Sequence, residues 1–403
     1  MAMGVVVFEV GGRLHRGTRP PPPGSHQRVG ACAAPTPQRR RVARSIHRDT
    51  VGRAGSWGEG VLESSDGGIG MGVDATVLEE RGCAFVAGEA FYRPESAQAR
   101  DLAILAVMAH QQRSGSRMRV LDCCSGSGVR GARYLQQAGV ESVWCNDYNT
   151  ENRALMVANL LGDPHRALRH APAGMEEVGE EASFPGLRGA VLQGAVDACE
   201  QRGGAPQRWR VSHFEARRLL TACWLAEDYY DFVDVDCFGA QGALTGAALG
   251  AVRHGGLLYL TCTDGLGASG RAPLQSLVQY GCFTQPTAFA NEQGLRMMIA
   301  STVLEAAKRG LTARPLFSLF SAHGPVFRVM FRVTRGNDRR QLADINFISH
   351  SAAQGESGIV AFSELGGAAS RKAGEPLGGG GAGGSDACQV CGPLWSGALH
   401  CSQ

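Results

Sequence analysis

The segment Val120–Gly131 reads as the end of a strand, a glycine-rich turn and the start of a helix. Its glycines at Gly126, Gly128 and Gly131 match the G-x-G-x-x-G pattern. Such a turn lets a nucleotide cofactor approach the backbone at a helix N-terminus. An acid follows at Asp147, at the end of the next predicted strand, where it can accept hydrogen bonds from ribose hydroxyls. The segment therefore predicts a cofactor that contains a nucleoside.

Asp122, at the end of the apolar run, distinguishes between two cofactors that use this kind of turn. A dinucleotide places an anionic pyrophosphate over the glycines, and a carboxylate nearby repels it. S-adenosylmethionine has no phosphate, and it presents a cationic amino group and a sulfonium. Asp122 therefore favours S-adenosylmethionine. An NAD-dependent oxidoreductase is the competing hypothesis, and a glycine turn that serves only tight packing is the third interpretation.

A second segment, Asp234–Gly239, carries two acids and an aromatic residue at the end of a later predicted strand. In open α/β sheets ligands bind beyond the carboxyl ends of the strands, so Asp236 and Phe238 are expected to face the reacting groups. A carboxylate can accept a hydrogen bond and a proton from an exocyclic amine, and an aromatic ring can stack on an extruded base. This pair suits methylation of a base nitrogen. Asp234 is expected to make a structural hydrogen bond.

Strand and helix patterns alternate from about Val73 onwards, as in a doubly wound, mainly parallel sheet. The predicted helices are Asp101–Gln112, Val129–Ala138, Glu151–Leu161 and Asn291–Arg309. The predicted strands are Met118–Cys124, Ser142–Cys145, Trp209–Phe214, Phe232–Val235, Gly256–Cys262, Thr312–Phe320 and Pro325–Thr334.

Three segments differ from this pattern. Residues 1–56 are rich in arginine, contain no lysine and have only two acids, Glu9 and Asp49, which is typical of an organelle transit peptide; a disordered basic arm is the alternative. Residues 162–208 are of low complexity and are interpreted as an insertion at the edge of the sheet. A Gly-rich stretch precedes the C-terminal end.

Composition excludes several classes of protein. Hydrophobic residues make up 44% of the chain and charged residues 19%, which supports a folded core. No apolar run approaches the ~20 residues that cross a bilayer, so no membrane span is expected. The 13 cysteines are scattered, and Cys145, Cys223 and Cys262 lie in or beside apolar stretches, as small core residues do in a reducing compartment.

Taken together, the motifs resemble the tRNA (guanine-26) N2-dimethyltransferase family over roughly residues 73–335 and again near the C-terminal end. The order and spacing of the matching segments make coincidence an inadequate explanation, and the 318–333 segment is most similar to the plastid-type branch of plants and algae. The matching segments are Phe91–Pro94, Arg100–Leu102, the Asp122 glycine motif, Asn146–Asp147, Asp234–Gly239, Gly256–Asp264, Asn291–Arg296, Pro325–Val333 and Gly392–Trp395.

The resemblance implies a class I methyltransferase fold with a seven-stranded sheet, S-adenosylmethionine as cofactor and transfer of methyl groups to N2 of guanosine 26 in tRNA. In this family's pattern Arg100 contacts the cofactor, Asp147 its ribose and Glu215 its adenine. Asp236 meets the guanine amine, and Phe238 walls or stacks on the base. The expected partner is tRNA; no membrane association is expected from the sequence, and no obligate protein partner is evident in it.

The chain departs from the family pattern beside the catalytic acid. The family usually has proline after that acid, where this chain has Cys237, and the loss of proline is expected to loosen the loop. Ala99 replaces the asparagine that usually precedes the Arg-Asp-Leu motif, and Ala240-Gln241 replaces the usual Ser-Pro. These departures keep a non-catalytic tRNA-binding protein on the same fold open as an alternative.

The C-terminal part, residues 336–403, is interpreted as a reduced remnant of the family's tRNA-binding domain. Cys388, Cys391, His400 and Cys401 could supply four zinc ligands, but absence of a metal is the favoured expectation because His400 and Cys401 are adjacent.

The basic leader agrees with a chloroplast location, with the mitochondrion or nucleus as alternatives. Arg328 and Arg332 lie on one face of a predicted strand, where they either meet RNA phosphates or face solvent. The sequence leaves the choice between mono- and dimethylation open.

Overall fold

The computed structural model describes most of the chain after residue 75. The described residues are 76–162, 209–336, 338–351, 355–362 and 389–400, with short segments at 5–6, 164, 182–183, 191–192 and 196–198. The predicted leader, apart from residues 5–6, and most of the predicted insertion lie outside these ranges.

Before the predicted insertion, three short strands come first, and helices and strands then alternate. They are β1 (Val5–Val6), β2 (Val77–Glu80), β3 (Cys83–Val86), α1 (Ala97–Ser114), β4 (Arg119–Asp122), α2 (Val129–Gln136), β5 (Ser142–Asn146) and α3 (Arg153–Leu160). Single 3-10 turns at Pro94–Ser96 and Thr150–Asn152 precede α1 and α3.

The remaining elements complete the main sheet and add a smaller one. They are β6 (Ala182–Ser183), β7 (Val191–Leu192), β8 (Val196–Ala198), β9 (Trp209–Ser212), α4 (Ala216–Leu225), β10 (Tyr230–Asp236), α5 (Gly242–Ala251), β11 (Val252–Cys262), α6 (Gly265–Ala268), α7 (Pro273–Tyr280), α8 (Ala290–Lys308), β12 (Leu311–Ser321), β13 (Val326–Arg335), β14 (Ile345–Ser351), β15 (Glu356–Val360) and β16 (Gln389–Trp395). A 3-10 helix spans Arg339–Asp344.

The main sheet has the strand order β1-β12-β13-β11-β10-β4-β5-β9-β8. Strands β9, β5, β4, β10 and β11 are mutually parallel, and β13 runs antiparallel to both β11 and β12. Apart from the short edge strands β1 and β8, the sheet therefore has seven strands, with only β13 reversed. This confirms the predicted doubly wound, mainly parallel sheet.

The two faces of the sheet bury alternate residues of the same strands. Val233 and Leu258 belong to the core that packs against α4, α5 and α8. Their neighbours Phe232 and Leu257 belong to a second core, against α1, α2 and α3. Successive side chains of a strand point to opposite faces, so a strand covered on both faces reads as a continuous apolar run. That is why these strands could be predicted from short apolar segments.

The smaller sheet has the order β15-β14-β16. Ile345, Ile348, Leu394 and Trp395 from this sheet are buried in the same core cluster as residues of α8. The buried Arg296 guanidinium on α8 donates to the carbonyl oxygen of Trp395 at 2.8 Å. Within the described residues, the C-terminal segments thus pack directly on the core of the main domain.

Candidate active site

A cleft opens at the carboxyl ends of β4, β5, β10 and β11. From β4 the chain proceeds to β5 and β9 on one side, and β10 then lies on the other side of β4, so the strand order reverses here. Open α/β sheets bind ligands at such a reversal. The cleft has a volume of about 490 Å³. Five residues predicted from the sequence line it, namely Arg100, Gly126, Asp147, Asp236 and Phe238.

The glycine turn (Ser125–Gly128) forms one wall of the cleft. Gly126 and Gly128 have φ values of 56° and 81°, a region that side chains with a Cβ rarely adopt. Gly131 is needed for a different reason, because a Cβ there would lie 2.2 Å from the Cys145 sulfur on β5. The motif therefore combines a tight turn with close helix–strand packing, as its spacing predicts.

Asp147 closes the turn from the end of β5. Its Oδ2 accepts a hydrogen bond from the Gly126 amide at 2.7 Å, and its Oδ1 accepts from the Asn149 amide and the Asn152 side chain, both at 3.0 Å. The first amide of the turn is thus already satisfied by a carboxylate. A phosphate placed here would meet that negative charge, whereas ribose hydroxyls or a cationic group would be attracted. The wall therefore fits a nucleoside cofactor without phosphate.

Asp122 lies beneath the turn rather than in the cleft lining. It is fully buried, and neither carboxylate oxygen has a hydrogen-bond partner among the described residues. Asp122 stands opposite Asp234 in the β4–β10 register. Burial raises the pKa of Asp122 to about 7, and the charge of Asp234 adds to the shift. Asp122 therefore becomes charged only near and above neutral pH, and in that form its field can act on the cofactor site.

Asp234 makes the structural contacts expected of it. Its Oδ2 accepts a hydrogen bond from Tyr134 at 2.7 Å and pairs with Nη1 of Arg130 at 2.8 Å. Burial raises the pKa of the Tyr134 hydroxyl, which therefore stays protonated and donates. Arg130 follows the glycine turn on α2, so this network joins the turn to β10.

Asp236 is held between two buried arginines. The second arm of Arg130 forms an ion pair with Oδ2, and Nη2 of Arg328 lies 3.9 Å from Oδ1. Burial lowers the pKa of Arg328 to about 10, which still leaves it protonated at neutral pH. Asp236 keeps 23% of its side chain exposed towards the cleft. The result is a fixed acceptor aimed at a ligand.

Of the two environments considered for Arg328 from the sequence, the structure excludes one, the solvated strand face, while contact with RNA phosphates stays a prediction. Arg328 is 3% exposed and lines the cleft. Its strand β13 is covered by helices, so alternation along the strand turns Arg328 into the protein, which excludes a solvated strand face.

Aromatic rings surround the mouth of the cleft. Phe238 is 69% exposed, and its ring lies edge-on to Phe91 with centroids 4.7 Å apart. The Arg93 guanidinium lies 5.3 Å from the Phe91 ring centre, and Tyr148 is exposed beside Asp147. Large exposed aromatic rings are suited to stacking on a flat ligand. The sequence identified Phe238, but it assigned no role to Phe91 or Tyr148, which lie in other loops.

Arg100 and Glu215 have local partners of their own. Arg100 lines the cleft, but its guanidinium forms a buried ion pair with Glu80 and donates to the carbonyl oxygen of Arg93. Glu215 caps α4 by accepting hydrogen bonds from the amides of Arg217 and Arg218. Glu215 does not line this cleft. The cofactor contacts assigned to both residues by resemblance stay predictions.

The proposed zinc ligands are only partly described. Cys388 and Cys401 lie outside the described residues. Cys391 is buried in β16, in the core it shares with α8. No cluster of three or more metal-ligating side chains occurs in the described part of the chain.

The two walls of the cleft are joined by a disulfide that the sequence did not suggest. Cys124 precedes the glycine turn and Cys237 follows Asp236, and their Cα atoms are 5.9 Å apart. Cys237 is the residue that replaces the family's usual proline.

The fold and the cleft define a class I methyltransferase. The family model for N2,N2-dimethylguanosine tRNA methyltransferase matches residues 73–179 and 203–403. The chain belongs to this family.

Individual relatives agree with this assignment. A tRNA (guanine(26)-N(2))-dimethyltransferase of Thermococcus kodakarensis is 27% identical over 260 residues, which cover 64% of this chain and 60% of the relative. The tRNA (guanine(26)-N(2)/guanine(27)-N(2))-dimethyltransferase of Aquifex aeolicus is 26% identical over 62% of this chain and 53% of its own length. This chain thus spans little more than half the length of these relatives.

A solved structure supports the fold. Trm1 from Pyrococcus horikoshii, in complex with S-adenosyl-L-methionine, superposes with a TM-score of 0.59 at 21% identity. The match covers 81% of this chain and 74% of that one. Within the described residues, no helix is both long and apolar enough to cross a membrane.

Proposed function

We propose that this protein transfers methyl groups from S-adenosylmethionine to N2 of guanosine 26 in tRNA. Family membership supports the reaction class, as do the names of the relatives. The observation that carries the proposal is the position of Asp236, held by Arg130 at the end of β10, beside an exposed aromatic ring and across from the glycine turn.

The glycine turn and Asp147 would hold the cofactor. S-adenosylmethionine supplies an electrophilic methyl group on a sulfonium. Asp147 would accept hydrogen bonds from the ribose, and the charge of Asp122 beneath the turn would favour the cationic part of the ligand. The small residues of the turn leave the backbone open to the ligand.

Asp236 would orient the guanine amine and receive its proton. The amine nitrogen forms a bond to the methyl carbon while the bond from carbon to sulfur breaks, and the nitrogen then loses a proton. A carboxylate paired with arginine is a weak base, so Asp236 acts mainly by accepting a hydrogen bond that directs the nitrogen lone pair. The proton leaves through Asp236 once the amine has become cationic.

Phe238 and Phe91 would hold the base. The target nucleotide lies inside a tRNA fold, so it must leave its stack to reach Asp236. The edge-on pair of rings lines the same cleft as Asp236 and offers a face on which a flat base can stack.

We further propose that the protein belongs to the plastid-type branch of plants and algae and that it acts in the chloroplast. Support comes from the arginine-rich, lysine-free segment at residues 1–56 and from the resemblance of residues 318–333. A fusion of residues 1–56 to a fluorescent protein should enter chloroplasts in plant cells. Import into mitochondria or nuclei instead contradicts this location.

The reaction is tested with the full chain, labelled S-adenosylmethionine and unmodified tRNA transcripts. One transcript carries guanosine at position 26 and its twin carries adenosine. Label on the guanosine transcript alone is the expected result. Label on both transcripts contradicts position 26 as the methylated nucleotide. Binding of cofactor and tRNA with no label on either contradicts catalysis and favours a tRNA-binding protein.

A further inference from the structure

Cys124 and Cys237 connect the two walls that must cooperate in methyl transfer. Cys124 lies two residues after Asp122, and Cys237 lies directly between Asp236 and Phe238. Their Cα separation of 5.9 Å is within the range that disulfides span without backbone movement. The two cysteines are 113 positions apart in the sequence. Their link ties the wall formed by the glycine turn, here called the cofactor wall, to the wall formed by Asp236, Phe238, Phe91 and Arg328, here called the base wall.

This pair is the accessible one among the described cysteines. Both residues line the cleft and are only partly buried. The other described cysteines are buried: Cys83, Cys123, Cys145, Cys223, Cys262, Cys282 and Cys391. Burial raises the pKa of the Cys83 thiol to about 11 and that of Cys282 to about 12, so these thiols stay protonated and unreactive.

The link acts on the loop that carries both catalytic candidates. The far side of this loop is held by hydrogen bonds, from the Gly239 amide to Oγ1 of Thr263 at 2.6 Å and from the Gln241 side chain to the carbonyl oxygen of Cys237 at 3.0 Å. The disulfide fixes the loop on its other side, next to the glycine turn. The position of this loop relative to the glycine turn sets the distance between the cofactor's methyl group and the amine that receives it.

We propose that Cys124 and Cys237 form a reversible redox pair and that the disulfide form is the active one. The cross-link holds Asp236 and Phe238 at their working distance from the cofactor turn, and reduction releases them. The expected effect on the rate of methyl transfer rests on the proposed function. The disulfide itself is inferred from the positions of the two cysteines. In compartments that keep most thiols reduced, disulfides of this kind are commonly redox-sensing rather than structural.

The exchange needs a disulfide as oxidant, for which glutathione disulfide is the probe. The thiolate of one cysteine attacks a sulfur of glutathione disulfide and releases one glutathione thiolate. The second cysteine, after losing its proton, attacks the mixed disulfide and releases the second glutathione. Two protein thiols are oxidised, one small disulfide is reduced to two thiols, and excess reduced dithiothreitol reverses the reaction.

The experiment compares the full chain after treatment with glutathione disulfide and after dithiothreitol. Peptide mapping by mass spectrometry, with free thiols blocked, should recover the Cys124–Cys237 link only in the oxidised sample. The oxidised sample should methylate tRNA with a kcat/KM about tenfold higher than the reduced sample, because small displacements of reacting groups are costly. Binding of S-adenosylmethionine, measured by calorimetry, should change much less.

Single variants separate the pair from general effects of oxidation. Cys124→Ser and Cys237→Ser should each show the lower rate of the reduced protein and no response to redox treatment. Cys223→Ala, in the core outside the cleft, should keep the full response.

Two results would overturn the proposal: failure to recover the linked peptide after oxidation, or an oxidised protein whose rate equals or falls below that of the reduced one. If neither the oxidised nor the reduced sample methylates tRNA, the result contradicts the proposed function instead. The peptide map then still decides whether the two cysteines form the disulfide.

Discussion

The glycine turn and the base wall opposite it are built from different kinds of sequence. The turn is one contiguous segment after β4, and Asp147 completes it from the next strand. The base wall combines Asp236 at the end of β10 and Phe238 just beyond it with Phe91 before α1 and Arg328 on β13. The turn follows from backbone rules that act locally, whereas the base wall exists only when distant segments meet.

Arg130 connects the two regions. It lies in the first turn of α2, just after the glycine turn, yet its guanidinium pairs with Asp234 and Asp236 on β10. The cofactor wall thus supplies the charge that holds the acceptor of the base wall. Variants that act on one wall, or on the connection between them, test this division.

The largest effect is expected from Asp236→Ala. Methyl transfer should fall by at least about 100-fold, because the amine loses its acceptor. Affinity for S-adenosylmethionine should stay within about tenfold, a difference of about 1.4 kcal/mol, because the cofactor wall is intact. Single-turnover assays and calorimetry measure the two quantities. Asp231→Ala, at the other end of β10, is the control; activity of Asp236→Ala equal to that of the control removes Asp236 from the mechanism.

Arg130→Met should lower the free energy of unfolding by about 3–5 kcal/mol, because it leaves buried carboxylates without their cation. Urea unfolding measures the loss. Adding Asp234→Asn should recover part of it, since one of the unpaired charges is then removed. Arg217→Met, on the exposed first turn of α4, should change stability by less than about 0.5 kcal/mol. Equal effects of the two arginine variants would show that Arg130 does not connect the walls.

Phe238→Ala should raise KM for tRNA about tenfold, as expected for the loss of one stacking contact worth about 1–3 kcal/mol. The cofactor affinity should not change, because Phe238 belongs to the base wall. Steady-state kinetics with the guanosine-26 transcript measures KM. Trp224→Ala, a half-exposed aromatic on α4 outside the cleft, is the matched control. An unchanged KM in Phe238→Ala assigns base binding to other residues.

Asp122→Asn should change how stability depends on pH. The pKa of Asp122 rises from its usual 3.8 to about 7 on folding, so the folded state binds the proton more tightly than the unfolded state. The stability of the folded state is therefore highest, as far as Asp122 is concerned, below about pH 4, and it declines as the pH rises towards 7. Asn cannot ionise, so the variant should be more stable than wild type at pH 8, by at least about 1 kcal/mol, and closer to it at pH 4. The free energy of unfolding is measured for both proteins between pH 4 and pH 8. If that of wild type does not fall relative to that of the variant, the interpretation is wrong.

Much of the fold could be predicted because buried parallel strands are short apolar runs. The predicted helix Asn291–Arg309 is observed as Ala290–Lys308, and the predicted strand Thr312–Phe320 as Leu311–Ser321. The hairpin of β2 and β3, and helices α4 and α5, were not predicted. In α5 the residues are mainly Gly, Ala and Leu, which gives no amphipathic contrast for a periodicity to detect.

Three parts of the site could be predicted from the sequence alone: the glycine turn, the acid that closes it, and the acid and aromatic residue at the carboxyl end of β10. Each depends on a local backbone requirement or on the end of a strand, and local rules can be read from adjacent residues. Only the folded structure shows that Arg130 and Arg328 hold Asp236, that Phe91 meets Phe238, and that Cys237 reaches Cys124. These contacts join residues far apart in the chain, and only the order of strands in the sheet brings them to one cleft.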